Sequence, residues 1–158
     1  MQYHWFVIAR VLHVLAIVVW IGGIGAVTIV MFTMMRRLDS SQQKVWMFDR
    51  IERSFRPQAR IAWLVVGLTG LYMLASLGVW ARFVEPHYWW MHAMVGLWLL
   101  FGLLLFAIEP LVVGPRIRRS LACKPQQTIV RMQGLHAGLL VLSLLVIAAV
   151  VGGIYGLF

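Results

Sequence analysis

The fold can be read outward from the segment Arg10-Val-Leu-His13-Val-Leu-Ala-Ile-Val-Val-Trp20-Ile-Gly-Gly23. Apart from Arg10 and His13 this segment is apolar. The two polar residues are three positions apart, so on a helix they lie on one face, about 60° from each other. A cation and an imidazole inside an apolar segment are costly unless each has a partner. We therefore expect His13 to face either a bound metal group or a neighbouring helix.

The rest of the chain has the same apolar character. Of its 158 residues, 62% are hydrophobic and 12% are charged, and the mean hydropathy is +0.87. A soluble domain of this length is mostly surface and could not bury so many apolar side chains. Four stretches lack charge, and each is long enough to cross about 30 Å of hydrocarbon as a helix. We predict an all-α integral membrane four-helix bundle, formed by a single domain over residues 1–158 with spans at about 5–35, 60–81, 86–110 and 130–157.

The charged residues predict the orientation of this bundle. The chain has 14 Lys and Arg against 5 Asp and Glu, and the basic residues lie almost entirely between the first two spans and between the last two. The positive-inside rule places such loops in the cytoplasm, so both termini lie outside. We expect a multi-pass protein of a bacterial-type inner membrane with periplasmic termini. We expect membrane lipid as a partner, and the distribution of the basic residues does not predict nucleic-acid binding.

The first basic loop has helical periodicity of its own. Val45, Phe48, Ile51 and Phe55 recur at helical spacing, with basic residues largely on other faces. The pattern predicts an amphipathic interfacial helix on the inner membrane surface. Two interpretations stay open: a segment that binds anionic lipid or a partner, and a basic connector that rests on headgroups.

Candidate cofactor ligands lie on the first and third spans. These spans run in the same direction, so His13 and His92 enter the membrane from the same side. Two neutral imidazoles on facing helices can hold a b-type haem in a bundle. We predict His13 and His92 as the axial ligands and metal-binding residues, Arg10 as the partner of a propionate, and Trp20 beneath the ring. Met94 is the alternative second ligand, since it points about 160° away from His92 on the same helix.

Two further titratable residues lie near the predicted cytoplasmic side. Glu109 ends the third span and His136 lies in the fourth, where the pair could carry protons inward. The alternative is an interfacial carboxylate beside a hydrogen-bonded core histidine. A second haem in this cytoplasmic half of the bundle would need another iron ligand besides His136. The candidates that the sequence places there are methionines. The single Cys123 excludes an internal disulfide and a CxxC redox pair.

Several of these motifs carry a resemblance. Leu12-His13-Val14 and Val18-Val19-Trp20-Ile21-Gly22-Gly23 resemble helix 1 of the HemJ-type membrane protoporphyrinogen oxidases and of the broader CopD-like four-helix membrane proteins. Trp90-Met91-His92-Ala93-Met94 resembles the helix 3 motif of the HemJ family. The resemblance implies that His13 ligates a b-type haem. Where the family has a lysine two residues after the helix 3 histidine, this chain has Met94.

These expectations define a function and its alternatives. The first is a haem b-binding membrane redox protein, either a b-type cytochrome or a haem-dependent oxidoreductase, with one or two haems. It would exchange electrons with a membrane-soluble quinol or porphyrinogen, alone, as a homodimer or with a redox partner protein. The second, implied by the CopD-like resemblance, is copper transport or resistance. The third is a non-catalytic assembly subunit of a respiratory complex.

Overall fold

The computed structural model describes residues 2–157, with side chains for 3–109 and 116–157. Within this range the chain is helical and contains no strand. The α-helices are α1 (Gln2–Gly25), α2 (Phe32–Arg37), α3 (Ser41–Leu77), α4 (Trp89–Leu103), α5 (Gly114–Cys123) and α6 (Pro125–Ile154). A π-helical segment, Ala26–Met31, joins α1 to α2, and a second, Leu104–Val113, joins α4 to α5. Short 3₁₀ segments at Val79–Phe83 and Pro86–Tyr88 connect α3 to α4.

Four helical stretches are long and apolar enough to cross a membrane: Tyr3–Arg37, Ser41–Leu77, Pro86–Glu109 and Pro125–Ile154. The prediction of an all-helical chain with four stretches able to span a membrane is thus confirmed over the described residues. Successive spans run in opposite directions. We call the end with the chain termini and the α3–α4 connection the termini end, and the opposite end, with the two basic connections, the loop end.

Local sequence signals set where the helices begin and end. At the start of α3, the Ser40 hydroxyl accepts a hydrogen bond from the backbone N–H of Gln43 at 3.1 Å, which is a typical N-cap. At the end of α3, Gly78 has a φ of 64°, a left-handed conformation in which a side chain would be strained. Pro125 opens α6, where a missing backbone N–H costs nothing.

The packing order places α1 and α4 on opposite corners of the bundle. The first span packs mainly along α3 and also along α6, and α4 packs along α6 and α3. A tryptophan pair, Trp63 and Trp98, joins α3 to α4: the rings stack with centroids 4.3 Å apart and planes 5° from parallel. Each indole N–H donates to the other residue's backbone carbonyl, at 2.8 and 3.0 Å. The two rings lie over Gly67 and Gly102, where a side chain would collide with them.

The segment predicted to be an amphipathic interfacial helix is helical, but it belongs to a longer helix. It is not a separate element, because α3 continues from Ser41 through Pro57 into the second span. Its apolar side is covered by protein, since Phe48 is buried in a cluster with Phe32 and Met35 of α2, Leu121 of α5, and Ile129 and Met132 of α6. The short connection Leu38–Ser40 brings this part of α3 back against α2. The helical spacing of apolar residues in this segment therefore reflects packing within the protein at the loop end.

Candidate functional site

His13 lies half-buried between α1 and α3. Its Nδ1 is 2.9 Å from the Thr69 hydroxyl oxygen. The Thr69 hydroxyl itself donates to the backbone carbonyl of Val65 at 2.5 Å, so its oxygen is left to accept a hydrogen from Nδ1. This assigns the hydrogen of a neutral imidazole to Nδ1 and leaves Nε2 with a free lone pair. A hydrogen bond on one ring nitrogen that orients the other is how proteins commonly present a histidine to a metal.

The close approach of α1 and α3 makes this arrangement possible. A Cβ built on Gly70 would lie 3.3 Å from Cε1 of His13, so the ring lies directly against the α3 backbone. Two glycines of α3, Gly67 and Gly70, lie at close approaches of this kind. Both accommodate protein side chains, Trp98 over Gly67 and His13 over Gly70.

Trp20 and Arg10, the other predicted haem contacts on α1, differ in their burial. Trp20 is buried and meets the ring of Phe101 on α4 edge-on, with centroids 4.8 Å apart. Ala62 of α3 joins the same cluster. Arg10 instead lies exposed on the bundle surface, and it takes part in none of the hydrogen bonds or ion pairs among the residues with described side chains. Trp20 is therefore a bundle-core residue, whereas Arg10 faces outward.

The second predicted ligand faces a different neighbour. His92 is exposed on α4, and its ring meets Phe83 of the 3₁₀ connection edge-on at 5.5 Å. Met94 is half-buried on the same helix. His13 faces α3, so the structure directs the two histidines to different surroundings. Over the described residues, no group of three or more His, Cys, Asp or Glu side chains is arranged to hold a metal ion.

A large cavity lies in the loop-end half of the bundle. It has a volume of about 460 Å³, within the ~300–1,000 Å³ range of small-molecule pockets. Its walls come from all four spans and are mostly aliphatic and aromatic. Both π-helical segments border it, through Val27 on one and Glu109 on the other. We call it the Glu109 cavity, and its polar lining residues are Glu52, Arg56, Gln58, Glu109 and His136.

An ion-pair network runs from the Glu109 cavity towards α5. Arg56 bonds to Glu52 through Nη2 and to Oε1 of Glu109 through Nε at 3.2 Å. Arg118 on α5 donates to Asp49 at 2.8 Å and to the second oxygen of Glu52 at 3.2 Å. The hydrogen bond and charge of Asp49, with a smaller effect of Glu52, raise the pKa of Arg118 above its usual value. The network thus fixes Glu109 from one side.

The remaining polar atoms of the cavity are less satisfied. Oε2 of Glu109 is buried and has no hydrogen-bond partner in the described part of the chain. Nδ1 of His136 is 2.9 Å from the backbone carbonyl of Met132, and its ring meets Phe32 edge-on at 5.1 Å. Glu109 also interacts electrostatically with His136. The two residues singled out in sequence therefore do line one site.

Sequence reasoning missed Arg56, which bonds to both Glu52 and Glu109. Glu52 and Arg56 are four residues apart on α3, the spacing and order that favour an ion pair on a helix. This spacing predicts the local pair, but it does not indicate that the arginine also reaches Glu109 on the third span. The comparisons with known proteins add no further assignment: no protein-family model, no curated protein and no solved structure matches this chain.

Proposed function

We propose that this chain is a haem b-binding membrane redox protein in which His13 is an iron ligand. The observation that supports the proposal most is the hydrogen bond between His13 and Thr69. It uses Nδ1, on the side of the ring where the Val66 backbone also bonds to His13, and the hydrogen bond to Thr69 does not involve Nε2, the usual iron-binding nitrogen. An imidazole with a free lone pair in an apolar span is the donor that a b-type haem requires.

The donor set fits the group at one axial position. His13 is oriented by Thr69, and the ring is held against α3 at Gly70. A second iron ligand would come from His92 or Met94 of the diagonal helix α4, whose surroundings in this structure differ from those of His13. Arg10 has a long side chain at the surface, where its guanidinium can reach a propionate from outside the bundle. Bound haem b supplies reversible one-electron chemistry at iron, and this chain's own residues ligate it, orient it and exclude water.

The electron partner in this proposal is a membrane-soluble quinol or porphyrinogen. The protein lies in a bacterial-type inner membrane with periplasmic termini, so the haem is nearer the periplasmic side. Four apolar spans support a partner that diffuses within the bilayer.

The absorption spectrum of purified protein tests this proposal. We expect a Soret band that responds to dithionite in the wild-type protein and is lost in His13→Ala. His92→Ala and Met94→Ala identify the second ligand, because only the true ligand should change the spin state. His4→Ala and His87→Ala are matched controls, since both histidines are exposed near the termini end. A colourless preparation from cells with ample porphyrin, or one containing copper without haem, would refute the proposal.

A further inference from the structure

The Glu109 cavity presents hydrogen-bond acceptors to a space whose walls are mostly apolar. The first is Oε2 of Glu109, which is buried without a partner among the described residues. Arg56 does not satisfy it, because Nε of Arg56 is committed to Oε1 and Nη2 to Glu52. The ion pair with Arg56 engages one oxygen of the Glu109 carboxylate and leaves the other open. A buried acceptor of this kind is stabilised by any ligand that brings a donor to it.

His136 supplies the second acceptor. The carbonyl oxygen of Met132 can only accept, so the hydrogen of the neutral imidazole lies on Nδ1. Nε2 is then a lone-pair acceptor, and it has no hydrogen-bond partner in the described part of the chain. The same cavity is therefore lined by one carboxylate oxygen that is buried without a donor and one imidazole nitrogen that can accept a hydrogen bond.

We infer that the Glu109 cavity binds a lipophilic quinol, with one ring hydroxyl donating to Oε2 of Glu109 and the other to Nε2 of His136. A quinol has two O–H donors on an apolar ring, which matches two acceptors in an apolar pocket. An oxidised quinone has only carbonyl acceptors, so it cannot donate to Oε2 of Glu109 or Nε2 of His136, and only the N–H groups of Arg56 and Gln58 would be left to bind it. The inference rests on the proposed function for the choice of a quinol as partner, but the binding itself needs no haem.

Other occupants match these groups less well. A phospholipid would bring an anionic phosphate to a carboxylate, and like charges repel. A lipophilic cation would find the charge of Glu109 already balanced by Arg56 at 3.2 Å. A purely apolar molecule would leave Oε2 of Glu109 without a donor. The donor-bearing ring is the occupant that satisfies both polar atoms.

The test is equilibrium binding of decyl-ubiquinol and decyl-ubiquinone to the full-length protein in lipid nanodiscs. Quenching of Trp20, which lines the cavity, gives one readout, and extraction of bound ligand gives another. We expect the quinol to bind at least about ten-fold more tightly than the quinone, because hydrogen bonds to charged groups carry such factors. Glu109→Gln and His136→Phe should each weaken quinol binding by about ten-fold and affect quinone binding less.

Matched controls separate loss of a hydrogen bond from loss of the fold. Glu85→Gln and His87→Phe change an exposed carboxylate and an exposed histidine in the α3–α4 connection, so both should bind quinol like wild type. Ala59→Phe fills the cavity without removing either acceptor and should abolish binding of both ligands. Helical circular dichroism should be unchanged in all variants that are compared.

The possible outcomes test the quinol site in the cavity and the haem proposal separately. Equal affinity for quinol and quinone, no response to Glu109→Gln and His136→Phe, or a retained phospholipid that quinol does not displace would each overturn the inference. A protein without a Soret band that still selects quinol would refute the haem proposal alone. A haem-loaded protein without quinol selectivity would refute the cavity assignment alone. His13→Ala should lose the haem and keep quinol binding.

Discussion

The tryptophan pair between α3 and α4 predicts a large and selective cost for one added methyl group. In Gly67→Ala the new Cβ would lie 2.5 Å from Cζ2 of Trp98. Carbon atoms in contact prefer about 3.5–4.0 Å, so the overlap is roughly 1 Å. Overpacking of this kind costs about 1–3 kcal/mol. The Trp98 ring cannot move aside freely, because it is stacked on Trp63 and donates to that residue's carbonyl at 3.0 Å.

Losing that indole hydrogen bond adds about 1 kcal/mol, and the better helix propensity of alanine offsets about 1 kcal/mol, for an expected net loss of about 1–3 kcal/mol in free energy of unfolding. The assay is SDS-induced unfolding in mixed micelles, followed by near-ultraviolet circular dichroism of the tryptophans. Gly96→Ala on α4 is the matched control, because nothing lies within 4 Å of a Cβ at that position. Since alanine is the better helix former by about 1 kcal/mol, Gly96→Ala should be neutral or stabilising.

A double-mutant cycle assigns the cost to the ring. In a Trp98→Ala background, Gly67→Ala should lose most of its penalty, because the atom it would meet is gone. The reasoning would be refuted if Gly67→Ala and Gly96→Ala had the same effect, or if the penalty persisted without the indole.

The remaining predictions concern the polar contacts. Thr69→Val removes the acceptor for Nδ1 of His13 and should lower haem affinity about 10–100-fold in a haem titration, while His13 itself is retained; unchanged affinity would mean that the hydrogen bond does not orient a ligand. Arg118→Met breaks the contacts with Asp49 and Glu52, but Arg118 is 51% exposed, so the loss should stay below about 1 kcal/mol and shrink in high salt. The folded-state pKa of Arg118 is raised, so its contribution to stability is present throughout the neutral range and is lost only as pH rises through that pKa in strong alkali. The loss of unfolding free energy in Arg118→Met should therefore be equal at pH 6 and pH 9.

The architecture was predictable because long charge-free runs leave a chain few alternatives in a membrane. The need of His13 for a partner was also predictable, since an imidazole in such a run is costly. Its partner Thr69 was not, because nothing in the periodicity of α3 marks that hydroxyl as facing α1. The sequence analysis offered a ligand or a neighbouring helix, and the structure supplies the helix contact on Nδ1 while leaving Nε2 free.

The rotation of α4 could not be read from its sequence. This helix is apolar on every side, so the pattern does not say whether His92 or Met94 faces inward. The structure exposes His92 and half-buries Met94. The tryptophan pair was hidden for a related reason: Trp63 and Trp98 are 35 residues apart, and only the three-dimensional approach of two helices over glycine connects them.

The two candidate sites occupy opposite halves of the bundle, and Trp20 lies between them. It follows His13 by seven residues, which is about 10.5 Å along α1, and it lines the Glu109 cavity. The α-helical halves pack tightly over glycine, whereas the π-helical segments border the cavity. Because π-helical winding is rare and is frequent at functional sites, its use in both the first and third spans beside the cavity favours a binding role there. The redox group at His13 and the donor-bearing ring beside Glu109 would then occupy separate sites in one helical bundle. Mutation can therefore remove either site without removing the other.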